Sequence, residues 1–346
     1  MKCSKKAFGK YVSSVFVIGS PFQALCAIEA IREFEISDYK VILPLSPNEQ
    51  RNRQLLTILK DFGIVYEIFN AKEARAMQIL LNECKIKHKK DRNRYNRAFI
   101  GDYYQILYKS IALSYLNTGS PMVYLDDGNS SISIFRGVRK KTAWRSQCVN
   151  LLFYSLARIK KIIPDRFFYT IYYDIDERKF FKYPNHFSYL FFHKEKDTER
   201  ASGVIFIGTN TSAFCEQMGI QESMLENIIS KLFMEIHKEY PSQEITYVPH
   251  GRDSNIHIPD ICAQNNVVYR PIEVSIEYFL YKEQLFPVAI YGFSSTALFN
   301  LKKMMPNIRA VNYVIEKMNA PYYEYFNRIS EYYQQNSIKR ESIKLL

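Results

Sequence analysis

Short runs of consecutive apolar residues alternate along this chain with segments whose apolar residues recur every three or four positions. Val15-Phe16-Val17-Ile18 is β-branched and aromatic without a polar break, the pattern of a parallel strand covered on both faces. Gly19-Ser20-Pro21 turns the chain. Ala24, Leu25, Ile28, Ile31 and Phe34 then recur at helical spacing, with Pro in the first turn. The same alternation predicts strands over Tyr39 to Leu45, Ile64 to Phe69, Ala98 to Gly101 and Met122 to Leu125. Helices are predicted over Gln50 to Phe62, Ala71 to Cys84 and Tyr104 to Leu116. Strand and helix in strict succession predict a parallel α/β sheet.

From Trp144 to about His193 the pattern blurs into an aromatic-rich stretch that reads as a helix followed by covering strands. Val149, Leu152, Phe153, Leu156, Ile159 and Ile163 share a helical face beside Arg158, Lys160 and Lys161. That composition suits a membrane-surface helix, but an internal packing helix is the favoured expectation. A second series starts at Val204 to Gly208. It continues with a helix over Ser223 to Tyr240, strands at Ile245 to Val248 and Val267 to Tyr269, a helix near Val274 to Leu280, a strand at Val288 to Tyr291 and a helix opened by Ser294. The charged stretch from His193 to Arg200 is the linker candidate. It divides the chain into a domain over 1–195 and a domain over 196–346. Two such halves are expected to face each other across a cleft at the carboxyl ends of their strands, where ligands bind in this class.

The length of 346 residues accommodates two domains of about 100–200 residues each. A hydrophobic share of 47% against 24% charged residues excludes a disordered chain. The net charge of +12, with 27 Tyr and 24 Phe, points to an anionic partner. The basic residues lie in blocks, Lys85 to Arg97, Arg136 to Arg145 and Arg158 to Lys161, which suit an anionic membrane surface or a charged sugar nucleotide. Those blocks lack a regular interleaving of aromatics and contain no recognised nucleic-acid motif, so a nucleic-acid or polyanion-binding protein is the weaker alternative. Six scattered cysteines form neither CxxC nor a Cys/His metal spacing, and no metal is expected. They suggest a cytoplasmic protein with reduced thiols. The apolar stretch after Lys10 is too short for an export signal, and no window reaches the ~20 apolar residues of a membrane span.

Several polar residues fall at strand ends. Asp126-Asp127-Gly128 follows the Met122 strand, and alternation turns the two carboxylates to opposite sides, so one of them is a candidate general base; a plain turn is the favoured alternative for the motif alone. Ser294-Ser295-Thr296 sits between a strand and a helix, where hydroxyls and free helix N–H groups make an anion site; simple capping is the alternative. His250, after Pro249 and before Gly251, is a candidate donor to a leaving phosphate. Glu273 would begin the next helix, either accepting from ribose hydroxyls or stabilising the helix N-terminus, which explains it equally well. Gly208-Thr209-Asn210 is a strand-to-loop corner open to a nucleotide.

The order Asp-Asp-Gly, then His after Pro, then a Ser pair resembles the lipooligosaccharide sialyltransferases of glycosyltransferase family 52 and the related bacterial polysialyltransferases. The opening run Val17 to Leu25 and Ile205 to Gly208 extend the likeness. The resemblance implies a GT-B fold of two Rossmann-like domains and an inverting, metal-independent transfer from CMP-sialic acid, with no cofactor. The acceptor would be a lipid-linked surface glycan, met by a peripheral membrane protein. Asp127 would be the base, with Asp126 as the other candidate, and His250 would assist CMP departure. Ser294, Ser295 and Thr296 would hold the phosphate and Glu273 the ribose, with Gly208, Thr209 and Asn210 nearby. Ser20, Pro21, Gln23 and Gly128 would lie on the acceptor side. Gly251 departs from the family's His-Pro pair. The other transferases considered are GT-B enzymes using CMP-Kdo or a UDP-hexose, and the blurred middle segment is a candidate homodimer interface.

Overall fold

The computed structural model describes residues 7–69, 75–85, 94–128, 131, 144–172, 180–190, 203–320 and 322–345. The chain divides into two compact units, Met1–Leu190 and Phe191–Leu346. The linker candidate His193 to Arg200 lies outside the described residues, as do most of the first two basic blocks.

In the first unit β1 (Ser14–Val17), β2 (Tyr39–Pro44), β3 (Tyr66–Phe69), β4 (Arg97–Ile100) and β5 (Pro121–Tyr124) are joined by α1 (Pro21–Glu33), α2 (Glu49–Asp61), α3 (Ala76–Lys85) and α4 (Ile106–Tyr115). Then follow α5 (Trp144–Ile159), β6 (Ile163–Thr170) and β7 (Phe181–Pro184). Among the described residues the strands form one parallel sheet in the order β3-β2-β1-β4-β5-β6-β7. The aromatic middle segment therefore extends the sheet instead of covering it. Its helix is amphipathic, but Ile159 points outward while Phe153 and Ala157 are buried.

The second unit contains β8 (Val204–Ile207), α6 (Thr211–Met218), α7 (Glu222–Glu239), β9 (Ile245–Val248), α8 (Ile258–Gln264), β10 (Val268–Tyr269) and α9 (Ile276–Glu283). It continues with β11 (Ala289–Gly292), α10 (Thr296–Met304), β12 (Arg309–Glu316), α11 (Tyr323–Gln335) and β13 (Lys339–Lys344). Its described strands are parallel in the order β10-β9-β8-β11-β12-β13. Both units thus share the doubly wound order, which reverses between β1 and β4 and between β8 and β11. Loops leaving those strand pairs diverge to opposite faces and leave a ligand crevice. Two Rossmann-like units in one chain make the fold GT-B.

Many of the aromatics pack in the cores. Phe16 stacks on Phe99 at 4.7 Å between ring centres, and Phe206 stacks on Tyr247 and Tyr313. Arg97, counted above with an anion-binding block, is fully buried. Its guanidinium donates to Ser14 Oγ at 3.0 Å and to the Ala7 and Gly9 carbonyls at 3.0 and 2.9 Å, and it lies against the Phe34 and Phe99 rings. It pins the first residues to the sheet and is closed to any partner. In the same block Arg94 pairs with Asp38 at 3.3 Å.

Candidate functional site

The first unit gathers its polar residues at the β1/β4 switch point. Ser20 caps α1, its Oγ accepting the Gln23 N–H at 3.3 Å, and Pro21 follows as the first helical residue. Gln23 is fully buried and faces the strand ends. Its Oε1 accepts the Gly19 N–H at 2.8 Å, which leaves Nε2 to donate to Asp127 Oδ1 at 2.6 Å. β1 and β5 are two strands apart, about 10 Å, so Gln23 must reach across the end of β4. Gly101 allows this, because a Cβ there would overlap the Gln23 side chain.

The two adjacent aspartates have different work. Asp126 is 1% exposed. Its Oδ1 accepts from Thr170 Oγ1 at 2.6 Å and from Ser131 Oγ at 3.3 Å, while Oδ2 accepts the Ile171 N–H at 2.8 Å. It ties the end of β5 to the end of β6. Burial still pushes its carboxyl up to about 7. Asp127, on the opposite side, is half-buried and held chiefly by Gln23. Gly128 follows in the left-handed region at φ 59°, and its carbonyl accepts from Tyr172 Oη at 2.9 Å, which fixes the turn behind the pair.

Burial raises the Asp127 carboxyl to about 6, with the charge of Asp102 adding to the rise; the Gln23 hydrogen bond and the Arg51 charge oppose it. Asp102, at the end of β4, is itself raised by burial despite the Tyr104 N–H that it accepts at 2.8 Å. Tyr108 lies against Gly19, its phenol raised to about 12 by burial, with Arg51 lowering it and Asp102 and Asp127 raising it further. Asp127 is therefore a carboxylate of raised basicity, aimed at the switch point. Sequence reading missed Asp102, Tyr108 and Arg51. Asp102 had the signal of a polar residue at a strand end, whereas Arg51 and Tyr108 are helical positions that the fold alone brings near.

The second unit repeats the construction at the β8/β11 switch point. Gly292 pairs with Ile207, and a Cβ on it would come 2.9 Å from the Ile207 carbonyl, so glycine lets the two strand ends close up. Ser294 then turns with φ at 46°. Its N–H donates to Asn312 Oδ1 at 2.6 Å. Asn312 is a buried amide in an otherwise apolar stretch of β12, opposite Gly292, and its Nδ2 has no partner among the described residues. Tyr333 Oη donates to the Ser295 carbonyl at 3.0 Å. Two side chains thus hold a left-handed turn that a serine does not favour.

Ser295 caps α10, its Oγ accepting the Ala297 N–H at 3.3 Å. Capping and anion binding are both served. The Ser295 and Thr296 N–H groups have no partner among the described residues and stand at the positive end of a nine-residue helix. The N-terminus of α6 is closed by comparison. Asn210 Oδ1 accepts the Ala213 N–H at 3.1 Å, and Asp253 accepts the Thr211 N–H and Oγ1 at 3.1 Å each. Asn210 Nδ2 also donates to the Arg252 carbonyl at 3.2 Å. Gly208 donates its N–H to the Val248 carbonyl at 2.8 Å and leaves room for the Tyr247 ring. Gly208 and Asn210 are therefore committed to the loop itself, with Thr209 half-buried between them.

His250 Nδ1 accepts the Arg252 N–H at 3.1 Å. Burial, then the Arg252 charge, lowers its pKa, with Asp253 pulling the other way. A neutral ring whose Nδ1 accepts must carry its proton on Nε2, so His250 offers a hydrogen bond rather than an acid proton. Glu273 is placed differently from expectation. It lies exposed before α9, whose cap is Ser275; the carboxylate in the first turn is Glu277, buried and accepting from Asn300 Nδ2 at 2.7 Å.

No family model matches the chain, and no curated protein matches it. Solved structures do. The UDP-N-acetylglucosamine 2-epimerase of Neisseria meningitidis, bound to UDP-GlcNAc, superposes with a TM-score of 0.50 at 12% identity, over 95% of this chain and 95% of that one. A proposed UDP-N-acetylglucosamine 2-epimerase of Listeria monocytogenes gives 0.50 at 9% identity, over 88% and 79%. The similarity is one of fold, over nearly the whole chain. It overturns the resemblance to the family 52 sialyltransferases and polysialyltransferases, because these two structures are named for UDP-N-acetylglucosamine and neither for CMP-sialic acid. The short motifs misled for a physical reason. Gly and Asp in turns and Ser at helix caps are what any doubly wound unit requires at its strand ends.

Proposed function

We propose that this protein is a GT-B glycosyltransferase that takes a UDP-hexose as donor and uses Asp127 as the base for an acceptor hydroxyl. The observation that carries the proposal is Asp127 itself, a carboxylate of raised pKa oriented by Gln23 at a switch point. Support for UDP comes from the two fold relatives named for UDP-N-acetylglucosamine, one of them with that ligand bound. As the glycosidic bond breaks, negative charge grows on the departing diphosphate. The Ser295 and Thr296 N–H groups, and the His250 Nε2–H, are the donors that stabilise it. Asp127 takes the acceptor proton.

Thr296 gives a selective test. Ser295 has φ −72° and ψ 135°, the extended conformation that a residue before proline needs, and Thr296 is the first helical residue, where proline is tolerated. Thr296→Pro is expected to weaken UDP binding roughly tenfold by titration calorimetry, the worth of one hydrogen bond to a charged group, with the melting temperature held. Unchanged UDP affinity would remove the α10 turn from the donor site. In wild type, UDP should raise the melting temperature and CMP should not.

The pH dependence follows from Asp127. A base must be ionised, so kcat/KM should rise with pH through about 6. Asp102→Asn removes a charge that raises Asp127, and the acid limb should move to lower pH. A limb that stays in place would mean that another group titrates.

The names of the fold relatives favour one second reading, a UDP-sugar epimerase. Product analysis separates the two. A transferase releases UDP in step with acceptor, whereas an epimerase returns an inverted sugar still attached to UDP.

A further inference from the structure

We propose that the outer face of α5 docks the protein on an anionic lipid bilayer. The helix buries Phe153 and Ala157, with Val149, Leu152 and Leu156 partly covered. On the opposite side Trp144, Leu151 and Ile159 are 70%, 69% and 74% exposed. At 3.6 residues per turn these three, together with Cys148, Ser155 and Arg158, share an arc of about 100°. The apolar stripe runs the length of the helix, about 22 Å from Trp144 to Ile159 at 1.5 Å per residue. The three stand about two turns apart on one exposed face, the arrangement of an amphipathic surface helix.

Charge selects the occupant. From Trp144 to Lys161 the sequence contains no Asp or Glu but four basic residues, Arg145, Arg158, Lys160 and Lys161. Arg158 and Lys161 are exposed, while Lys160 donates to the Leu113 carbonyl at 2.8 Å. Arg158 and Lys161, exposed at the carboxyl end of this stripe, suit an anionic surface, whose headgroups take the cations while the Trp and aliphatic side chains enter the acyl boundary. The core of a protein interface is instead depleted of lysine. No described helix is long and apolar enough to cross a membrane, so the contact is parallel to the bilayer plane. This inference does not depend on the proposed donor, and the internal-packing expectation for this helix holds for its inner face alone.

Trp144 is the sole tryptophan of the chain, so its fluorescence reports this face directly. The full chain is titrated with vesicles of phosphatidylcholine alone and of phosphatidylcholine with phosphatidylglycerol, the latter also with brominated acyl chains. The expected result is a blue shift with the anionic vesicles only, quenching by the brominated lipid, and reversal by high salt. Leu151→Ser with Ile159→Ser retains the reporter and removes two aliphatic side chains that the bilayer would bury, so the partition constant should fall on the order of a hundredfold. Both residues are exposed, so circular dichroism and melting temperature should stay as in wild type. An unchanged spectrum with anionic vesicles overturns the proposal. So does a blue shift that follows protein concentration without lipid, which would make a second copy the occupant. Equal partitioning of the double variant would move the contact off α5.

Discussion

Asp127→Asn should lower kcat by about 10²- to 10⁴-fold, the range for loss of a general base, while UDP affinity stays as in wild type and the protein becomes more stable at pH 8. Asparagine keeps the Oδ1 that accepts from Gln23, so the turn is preserved and basicity alone is removed. The stability gain has a fixed sign. Burial raises this carboxyl from 3.8 to about 6, so folding disfavours the ionised form. The penalty is small below about pH 4, develops as pH rises from about 4 to 6 and is complete at pH 8. Removing it should yield roughly 1–3 kcal/mol at pH 8 and little at pH 4. Activity lost with stability gained is the signature of a strained functional group. Normal turnover would remove Asp127 from the mechanism.

Asp126→Ala should act on the other axis. It removes the acceptor for Thr170 Oγ1, Ser131 Oγ and the Ile171 N–H. The hydroxyls can turn elsewhere, but the buried Ile171 N–H cannot. At pH 4, where this raised carboxyl carries little ionisation penalty, a loss of about 2–4 kcal/mol is expected, read as a fall of roughly 5–15 °C in melting temperature, with whatever protein remains folded still binding UDP; at pH 8 relief of that penalty offsets part of the loss. If Asp126→Ala is as stable as wild type and inactive, the two aspartates have been assigned the wrong way round.

The contrast between these neighbours shows how far the sequence could be read. Strand ends were legible because buried parallel strands are consecutive apolar runs, and Val204 to Ile207 or Ile245 to Val248 admit little else. Alternation stated that one aspartate of the pair faces outward, but the choice needed Thr170 and Ile171, which belong to a strand about 44 residues on. The chain after Met305 was harder. β12 carries Asn312 in its middle, and β13, Lys-Arg-Glu-Ser-Ile-Lys, is a largely polar edge strand without an apolar run. Asn312 was invisible as a site residue because its reason, the Ser294 N–H, lies in another strand-end turn. Glu273 does not open α9, because Ser275, two residues further on, caps that helix. Arg97 shows the limit of charge counting, since a buried guanidinium among carbonyls adds to net charge and contacts no partner.

A crystal structure of the protein with UDP tests the central claim most directly. The account predicts the diphosphate at the N-terminus of α10, with its oxygens within hydrogen-bond distance of the Ser295 and Thr296 N–H groups and of His250 Nε2. UDP bound away from that turn, or a turn that takes CMP and refuses UDP, would contradict it.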